Sequence, residues 1–410
     1  MDQLRTYFSN RRLVTLALGH FTVDSYVGLL PVLFPLLIHK FSLNLETVGL
    51  VSLAYSGMGA VSQPLFGLIA DRWGTRFTGF ALAWTAATFA AAGFAPTFPA
   101  LVFVAFLSGL GSGAFHPLGA VTARSLLPPR GMNMAMSIYV TAGTVGLAAG
   151  PLIGVAAFGW LGVRGTIVML VPGLAIAAYL VTAMRAGSYG DNRSAHRKSA
   201  MRRVVPLVPL LATIAMMASR SWTTIALQAF TPTWYQQLGF QPWFYGPLAT
   251  TIILASAIGA IGTGALADRF GRRAVILGTL VLSVPAVWLF VAFPGYQGFL
   301  WAILVGALAA STAPLMLVLA QELLAARAGF ASGLIMGLGF VTGAIGVPIT
   351  GAIADRFGLQ AALYVQVVVV LLTIPVALLL PSERFLAQLR DSGHRTPDRQ
   401  VELAAAGGGS

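Results

Sequence analysis

The sequence predicts an all-α integral membrane protein, with twelve transmembrane helices in two six-helix, pseudo-symmetric bundles. Three observations predict it. Apolar runs of roughly 20 residues, the length that crosses a bilayer as a helix, follow one another with short gaps. They fill a chain of 410 residues with mean hydropathy +0.82 and only 9% charged residues. The stretch Gly67 to Arg76, GLIADRWGTR, returns as Gly264 to Arg273, GALADRFGRR, at an offset of 197 residues. Lysine and arginine gather in the loops on one side of the expected spans. Backbone polar groups in lipid need internal partners, so runs this apolar must be helices. The short alternating strands of an outer-membrane barrel are excluded.

Composition removes several function classes. The chain has no cysteine, which rules out disulfides and thiolate metal sites. Its net charge of +13 lies in the loops and reads as membrane topology rather than nucleic-acid binding. The apolar run from Leu13 is long and lacks a small-residue cleavage site, so no cleaved leader is expected.

The first bundle is expected over residues 1–184, with spans near 13–38, 46–70, 76–95, 98–123, 134–157 and 164–184. Span 1 carries His20 and Asp24 one turn apart on one face. Span 2 ends in the GLIADRWGTR loop. Span 4 runs through glycine and serine to His116 and Pro117. Span 5 sets Gly143, Gly146, Gly150 and Gly154 at every third or fourth position, a flat face for close packing. Pro151 removes a backbone donor there and permits a bend. Residues 185–203, with Arg193, Arg197, Lys198, Arg202 and Arg203, read as a solvated linker.

The second bundle is expected over 204–381, with spans near 206–230, 243–266, 273–292, 297–324, 329–353 and 359–380. Span 7 holds Arg220, Trp222 and Gln228. Span 10 ends near Gln321 and Glu322. Span 11 closes on Gly351 to Gly358, GAIADRFG, a weaker third copy of the loop. Residues 382–410 read as a polar, mobile tail.

One offset aligns the halves: Asp71 with Asp268, Pro117 with Pro314, Arg130 with Arg327, Pro151 with Pro348, Gly154 with Gly351. Parallel repeats of this kind imply a central site and rocking of one half on the other. Arg11, Arg12, Arg72, Arg76, Arg130, the linker, Arg269, Arg272, Arg273 and Arg327 share one side, against Lys40, Arg164 and Arg356 on the other. Both termini are therefore expected in the cytoplasm.

Ionisable groups within spans cost roughly 2.5–3.5 kcal/mol each at mid-bilayer, so they are functional candidates. Asp24, His20 and His116 are the candidates for proton coupling. Asp24 reads either as a proton carrier or as a structural ion pair with Arg220, and each histidine as a proton site or a hydrogen-bonded packing residue. Two histidines and an aspartate suit a metal by type, but they lie on different helices, and neither metal nor cofactor is expected. Arg220, Tyr26, Tyr139, Trp222, Gln228, Gln321 and Glu322 are expected to line a substrate cavity. Trp234, Tyr235 and Trp243 fit an interfacial aromatic belt better. Gly67, Asp71, Arg72, Arg76, Gly264, Asp268, Arg269, Arg272 and Arg273 are expected to gate the cytoplasmic side, through close helix approach and pairing with a helix N-terminus. Gly146, Gly150, Pro151 and Gly154 are expected to serve helix packing. No GxxxxGK[ST] loop is present, so an ion gradient rather than ATP is expected to supply the work. No HExxH or GxSxG occurs, and no enzyme is expected.

The two GxxADRxG loops resemble the signature loop of the major facilitator superfamily. The resemblance implies that fold, and a latch that closes the cytoplasmic side in the outward-facing state. The Gly143–Gly154 run is similar to the glycine-proline signature on the fifth helix of antiporters in that superfamily, which points toward efflux. Phe115-His116-Pro117 with Arg124, and Gln321-Glu322-Leu323-Leu324 with Arg327, Gly329 and Ser332-Gly333-Leu334, resemble the fosmidomycin-resistance family. His20 and Asp24 fit that family's first helix, and the likeness covers most of the chain. At Leu118 the family member compared has an acid, so that acid's coupling role does not transfer. The third loop copy lacks the closing basic pair. The resemblance implies a monomeric, proton-coupled antiporter of the bacterial inner membrane. It would export a small drug or metabolite, fosmidomycin-like and anionic, by alternating access, with protons and lipids as its other partners and no nucleic acid. A proton-coupled importer, a lipid or lysolipid flippase and an intramembrane enzyme are the alternatives.

Overall fold

The computed structural model describes residues 10–73, 77–126, 132–184, 206–324 and 328–392, and the described residues contain helices and no strand. Helix α1 (Arg11–Phe41) starts where the Asn10 side chain accepts the N–H groups of Arg12 and Leu13, and stops at Ser42 in the left-handed conformation. Helix α2 (Leu45–Ser52) runs through a π-helical turn, Leu53–Gly57, into α3 (Met58–Trp73). Then come α4 (Thr78–Ala92), α5 (Phe98–Leu126), α6 (Met132–Leu161), a 3₁₀ segment at Gly162–Met169, and α7 (Leu170–Met184).

The second half begins with α8 (Leu207–Gln237) and α9 (Pro242–Phe270). Gly271, at φ 84°, turns the chain sharply into α10 (Arg272–Ala292). Helix α11 (Gly298–Val305) continues through a second π turn, Gly306–Ala310, to α12 (Ala313–Leu323). Helices α13 (Ala328–Phe357), α14 (Leu359–Ala377) and α15 (Glu383–Ser392) follow. The expected mobile tail is therefore corrected at its start. Residues 383–392 are an amphipathic helix whose Leu386 is buried, because its apolar stripe has a core to dock on.

Nine helical stretches among the described residues are long and apolar enough to cross a membrane. One of them, Tyr139–Ala183, has 45 residues, about twice what a bilayer requires, and covers most of the expected spans 134–157 and 164–184. Thr78–Ala92 is apolar but shorter, at 15 residues. Large apolar side chains such as Trp160, Val171, Ile258, Ile261 and Leu372 are exposed on the outside. On a soluble monomer so much apolar surface would drive association; against lipid tails it is at home.

The repeat is visible in the packing. In the first half α1 packs on α6, α3 on α5, and α4 on α7. One offset later α8 packs on α13, α9 on the α11 rod, and α10 on α14. A side chain on Gly109 would meet the Tyr55 carbonyl oxygen at 2.1 Å, and one on Gly306 the Ile252 oxygen at 2.2 Å. Both members of that pair differ by 197 residues, so the same backbone approach occurs in each half.

The halves meet through α1 on α8, α6 on α9, and α2 on α13. The Phe34 and Phe230 rings lie 6.3 Å apart, the Thr250 hydroxyl donates to the Ala148 carbonyl at 2.7 Å, and Gly49 packs on the Pro348 backbone. These contacts lie toward the end where α1 finishes, the far end. The opposite, basic end carries Arg11, Arg12, Arg269, Arg272 and Arg273. There, Cβ atoms built on Gly67, Gly262 and Gly264 would meet nothing within 4 Å among the described residues. Gly67 and Gly264, expected to admit a close helix, thus have no such neighbour among those residues in this arrangement.

Candidate functional site

Helix α1 places His20 and Asp24 one turn apart, and α5 brings His116 to the same point. His116 Nε2 lies 3.0 Å from one Asp24 carboxylate oxygen, and His20 Nε2 lies 3.4 Å from the other. Each imidazole is fixed from behind. His20 Nδ1 lies 2.9 Å from the Tyr139 carbonyl, and His116 Nδ1 lies 2.8 Å from the Ser112 carbonyl one turn earlier in α5. A carbonyl oxygen only accepts, so Nδ1 carries the hydrogen in both rings. A neutral ring then presents a bare Nε2 lone pair to a carboxylate. Three acceptors converging within 4.8 Å repel one another until a cation joins them. A proton on Nε2 supplies that charge. By donor type the set also suits a transition-metal ion. The two histidines, scattered in the sequence, meet because α1, α5 and α6 share one interface.

Helix α6 makes room for the cluster. A Cβ on Gly143 would sit 2.4 Å from Asp24 Oδ2 and 2.6 Å from His20 Nε2. Beyond it, Gly146 lets the Phe21 carbonyl approach and Gly150 packs on Gly28, so the α1 and α6 backbones run nearly in contact. Pro151 lies within α6, its carbonyl oxygen toward Gly246 of α9, and Gly154 meets the Leu29 side chain. The Tyr139 ring stacks on His20 at 4.4 Å, and His116 meets His20 edge-on at 5.3 Å. The side chains of Asp24 and His116 keep 19% and 29% of their accessibility, enough for a proton to reach them. One offset later stand Met217, Ser221 and Ala313, so the cluster belongs to one half only.

Arg220 is the buried cation of the other half. Its NH2 donates to the carbonyls of Leu308 and Ala309, at 2.7 and 2.6 Å, in the second π turn. A π turn widens the backbone and releases carbonyls to outside donors. The other terminal nitrogen, NH1, has no hydrogen-bond partner among the described residues. Asp24 pairs with the histidines and Arg220 with carbonyls, so the expected alternative of an Asp24–Arg220 ion pair is not what the structure forms. A guanidinium buried without a counter-ion carries a large desolvation cost that an anion would relieve.

The remaining expected cavity residues divide. Tyr26 is fully buried, donates to the Met169 carbonyl at 2.9 Å and packs on Phe89, so it holds the first half together rather than lining a cavity. Trp222 donates to the Thr350 hydroxyl at 3.0 Å, against Gly346. Gln228 is half-buried on α8. Glu322 stands at the basic end, its carboxylate 3.0 Å from Arg272 NH2. Trp234 and Tyr235 are buried in an aromatic cluster with Phe240, Phe244 and Phe290, whereas Trp243 is exposed as a belt residue would be.

At the basic end Arg272 also bonds Glu383 of α15, through Nε at 3.2 Å and its backbone N–H at 3.1 Å. Arg273 donates to the Leu378 carbonyl at 2.7 Å, and Arg269 lies over the Phe270 ring. Sequence reasoning missed Glu383. Its signal was an acid in the first turn of the short amphipathic pattern ERFLAQLRDS. Arg76 lies outside the described residues, as do the side chains of Asp71, Arg72, Asp268 and Gln321.

Comparison with known proteins agrees with this architecture. The family model described as Major Facilitator Superfamily matches residues 16–262 and 210–402. The chain is 32% identical over 396 residues to the uncharacterized MFS-type transporter YfnC of Bacillus subtilis (strain 168), covering 92% of this chain and 94% of that one. It is 25% identical over 358 residues to the fosmidomycin resistance protein of Escherichia coli (strain K12), covering 84% and 86%. Among solved structures it superposes on a bacterial homolog of the human lysosomal transporter Spinster, in an inward-facing and occupied conformation. That match has a TM-score of 0.80 at 16% identity and covers 93% of this chain and 98% of that one. A mutant of the nucleoside transporter NupG matches with a TM-score of 0.70 at 16% identity, covering 90% and 99%. At such identities these structures share the fold alone.

Proposed function

The chain belongs to the major facilitator superfamily, and from that premise we propose that this membrane transporter is a proton-coupled antiporter exporting an anionic small molecule. The carrying observation is the convergence of His20 Nε2, His116 Nε2 and the Asp24 carboxylate on one point. Protons bind at the two Nε2 atoms. Asp24 is the fixed charge that holds them, and loss of the protons restores repulsion among three acceptors. That change in local charge biases the rocking of the halves, residues 1–184 against 204–381, which alternating access requires.

Arg220, with one arm held by backbone carbonyls and one without a hydrogen-bond partner among the described residues, is the anchor for the anion. A carboxylate or phosphonate accepts charge-assisted hydrogen bonds from it. The Gly143–Gly154 run supports the antiport direction, and the likeness to a fosmidomycin resistance protein supports a drug-like cargo. The basic end faces the cytoplasm under the positive-inside rule. The membrane potential alone contributes about 2.3 kcal/mol per charge per 100 mV. The transporter works as a monomer.

A survival screen of expressing cells against a compound panel that includes fosmidomycin identifies the cargo. Proteoliposomes with an imposed pH gradient then test the coupling. Asp24→Asn is expected to abolish gradient-driven export while cargo still exchanges across a membrane without a gradient. Full gradient-driven export by that variant removes the cluster from the mechanism.

A further inference from the structure

The third copy of the loop motif, Gly351 to Gly358, lies at the far end, where no cytoplasmic latch belongs. Helix α2 begins beside it. Three N–H groups at the start of α2 have no intrahelical acceptor. Thr47 N–H is taken by the side chain of its own N-cap, Asn44, at 2.8 Å. Leu45 N–H and Glu46 N–H are taken by the two carboxylate oxygens of Asp355, each at 2.8 Å. Asp355 comes from the other half of the molecule. One carboxylate thus closes two orphan donors and faces the positive end of a helix dipole, across the boundary at which the halves must separate.

The surrounding backbone is fitted to this contact. A Cβ on Gly351 would stand 2.4 Å from the Leu45 carbonyl oxygen, and one on Gly49 2.9 Å from Pro348 Cα. The pseudo-symmetric interface lacks the device. One offset before Asp355 stands Phe158, and one offset after Leu45 stands Pro242, at the start of α9. Phenylalanine has no acceptor and proline no N–H to donate. The chemistry therefore sits on one of two otherwise matching helix pairs, and packing alone does not require it.

We infer that Asp355 is a positioning residue for transport, a far-end latch that holds α2 to α13 while the basic end is open and must release before the far end opens. Release exposes both N–H groups and the carboxylate to water, so the latch sets an equilibrium rather than a permanent tie. The inference goes beyond the proton and cargo assignments and does not depend on them.

The chain has no native cysteine, so spin labels report from introduced sites only. Trp160→Cys and Tyr296→Cys place labels on exposed far-end positions in opposite halves. Double electron–electron resonance in lipid nanodiscs, without cargo or pH gradient, gives the ratio of short to long distances. Asp355→Asn keeps one acceptor oxygen but sets an amide NH2 against the second N–H, and is expected to shift that ratio about fivefold toward long distances. Leu45→Pro leaves Asp355 in place but removes one donor at a position where proline suits a helix, and is expected to shift the ratio the same way by a smaller factor. Asp355→Glu is expected to restore much of the short population. If Asp355→Asn and Leu45→Pro both leave the distribution within twofold of the parent, the latch is overturned. So too if Asp355→Asn shifts it and Asp355→Glu shifts it as far. Failure of the proton-coupling reading would show as full gradient-driven export by Asp24→Asn, and leaves the comparison of the Asp355 variants with the parent as it stands.

Discussion

At Gly143 a missing side chain decides the geometry of the cluster. The Cβ of an alanine would lie 2.4 Å from Asp24 Oδ2, well inside contact distance, so the carboxylate must leave the histidines or α6 must move away from α1. Gly143→Ala is expected to lower gradient-driven transport at least tenfold. The thermal unfolding temperature should fall only modestly, since the carboxylate is a mobile neighbour. Transport by this variant at the parent rate would mean that the Asp24–histidine distances do not matter. His20 and Asp24 were legible as a pair because a helix puts positions four apart on one face. His116 was legible only as an ionisable group in an apolar run. Nothing in its surroundings says which helix faces it, and the meeting of α5 with α1 is a tertiary fact. The partners that fix the tautomers, the carbonyls of Tyr139 and Ser112, are backbone atoms and carry no residue-type signal. Arg220 misled for the same reason. A buried guanidinium suggests a carboxylate, and its actual partners are carbonyls released by a π turn.

Among the described residues two helical rods contain π turns, Leu53–Gly57 and Gly306–Ala310, and both abut a close backbone crossing. A π turn inserts one residue and shifts the hydrophobic phase by about 100°. In a helix apolar all round, that phase shift leaves no mark on the sequence. The spans were therefore legible and their breaks were not. Gly109 and Gly306 test the crossings. An alanine at either would drive Cβ to within 2.2 Å or less of a backbone oxygen, which cannot rotate away as a side chain can. Each substitution is expected to destabilise by about 1–3 kcal/mol, the usual range for overpacking, read as a lower unfolding temperature in detergent. Gly278→Ala, in a helix where nothing lies within 4 Å, is expected to leave stability unchanged or raise it by up to about 1 kcal/mol. Equal losses at all three positions would mean that the crossings carry no packing constraint.

Over the whole molecule, the repeat read from the sequence returns as matching helix pairs, and charge separates a basic end from a far end. What the sequence did not disclose is the state in which the halves rest, since one sequence must serve every state of the cycle. That state has a consequence at Gly67 and Gly264. Both stand at the basic end with no atom of the described residues in the way of a Cβ, so alanine is expected to cost little here and to remove the backbone entropy penalty of glycine, about 0.5–1 kcal/mol in a helix. On the proposed rocking of the halves, the opposite state has the far end apart and the basic end closed, and these glycines would be where helices come together. A side chain there penalises that state alone. Gly67→Ala is therefore expected to keep or raise the unfolding temperature, yet to slow transport severalfold and to enrich the basic-end-open population. Labels at Arg11→Cys and Gln388→Cys, exposed positions of the two halves at that end, report it as a loss of the short-distance population. An unchanged distance distribution, with transport at the parent rate, would show that Gly67 remains unpacked throughout the cycle and that the basic end closes elsewhere.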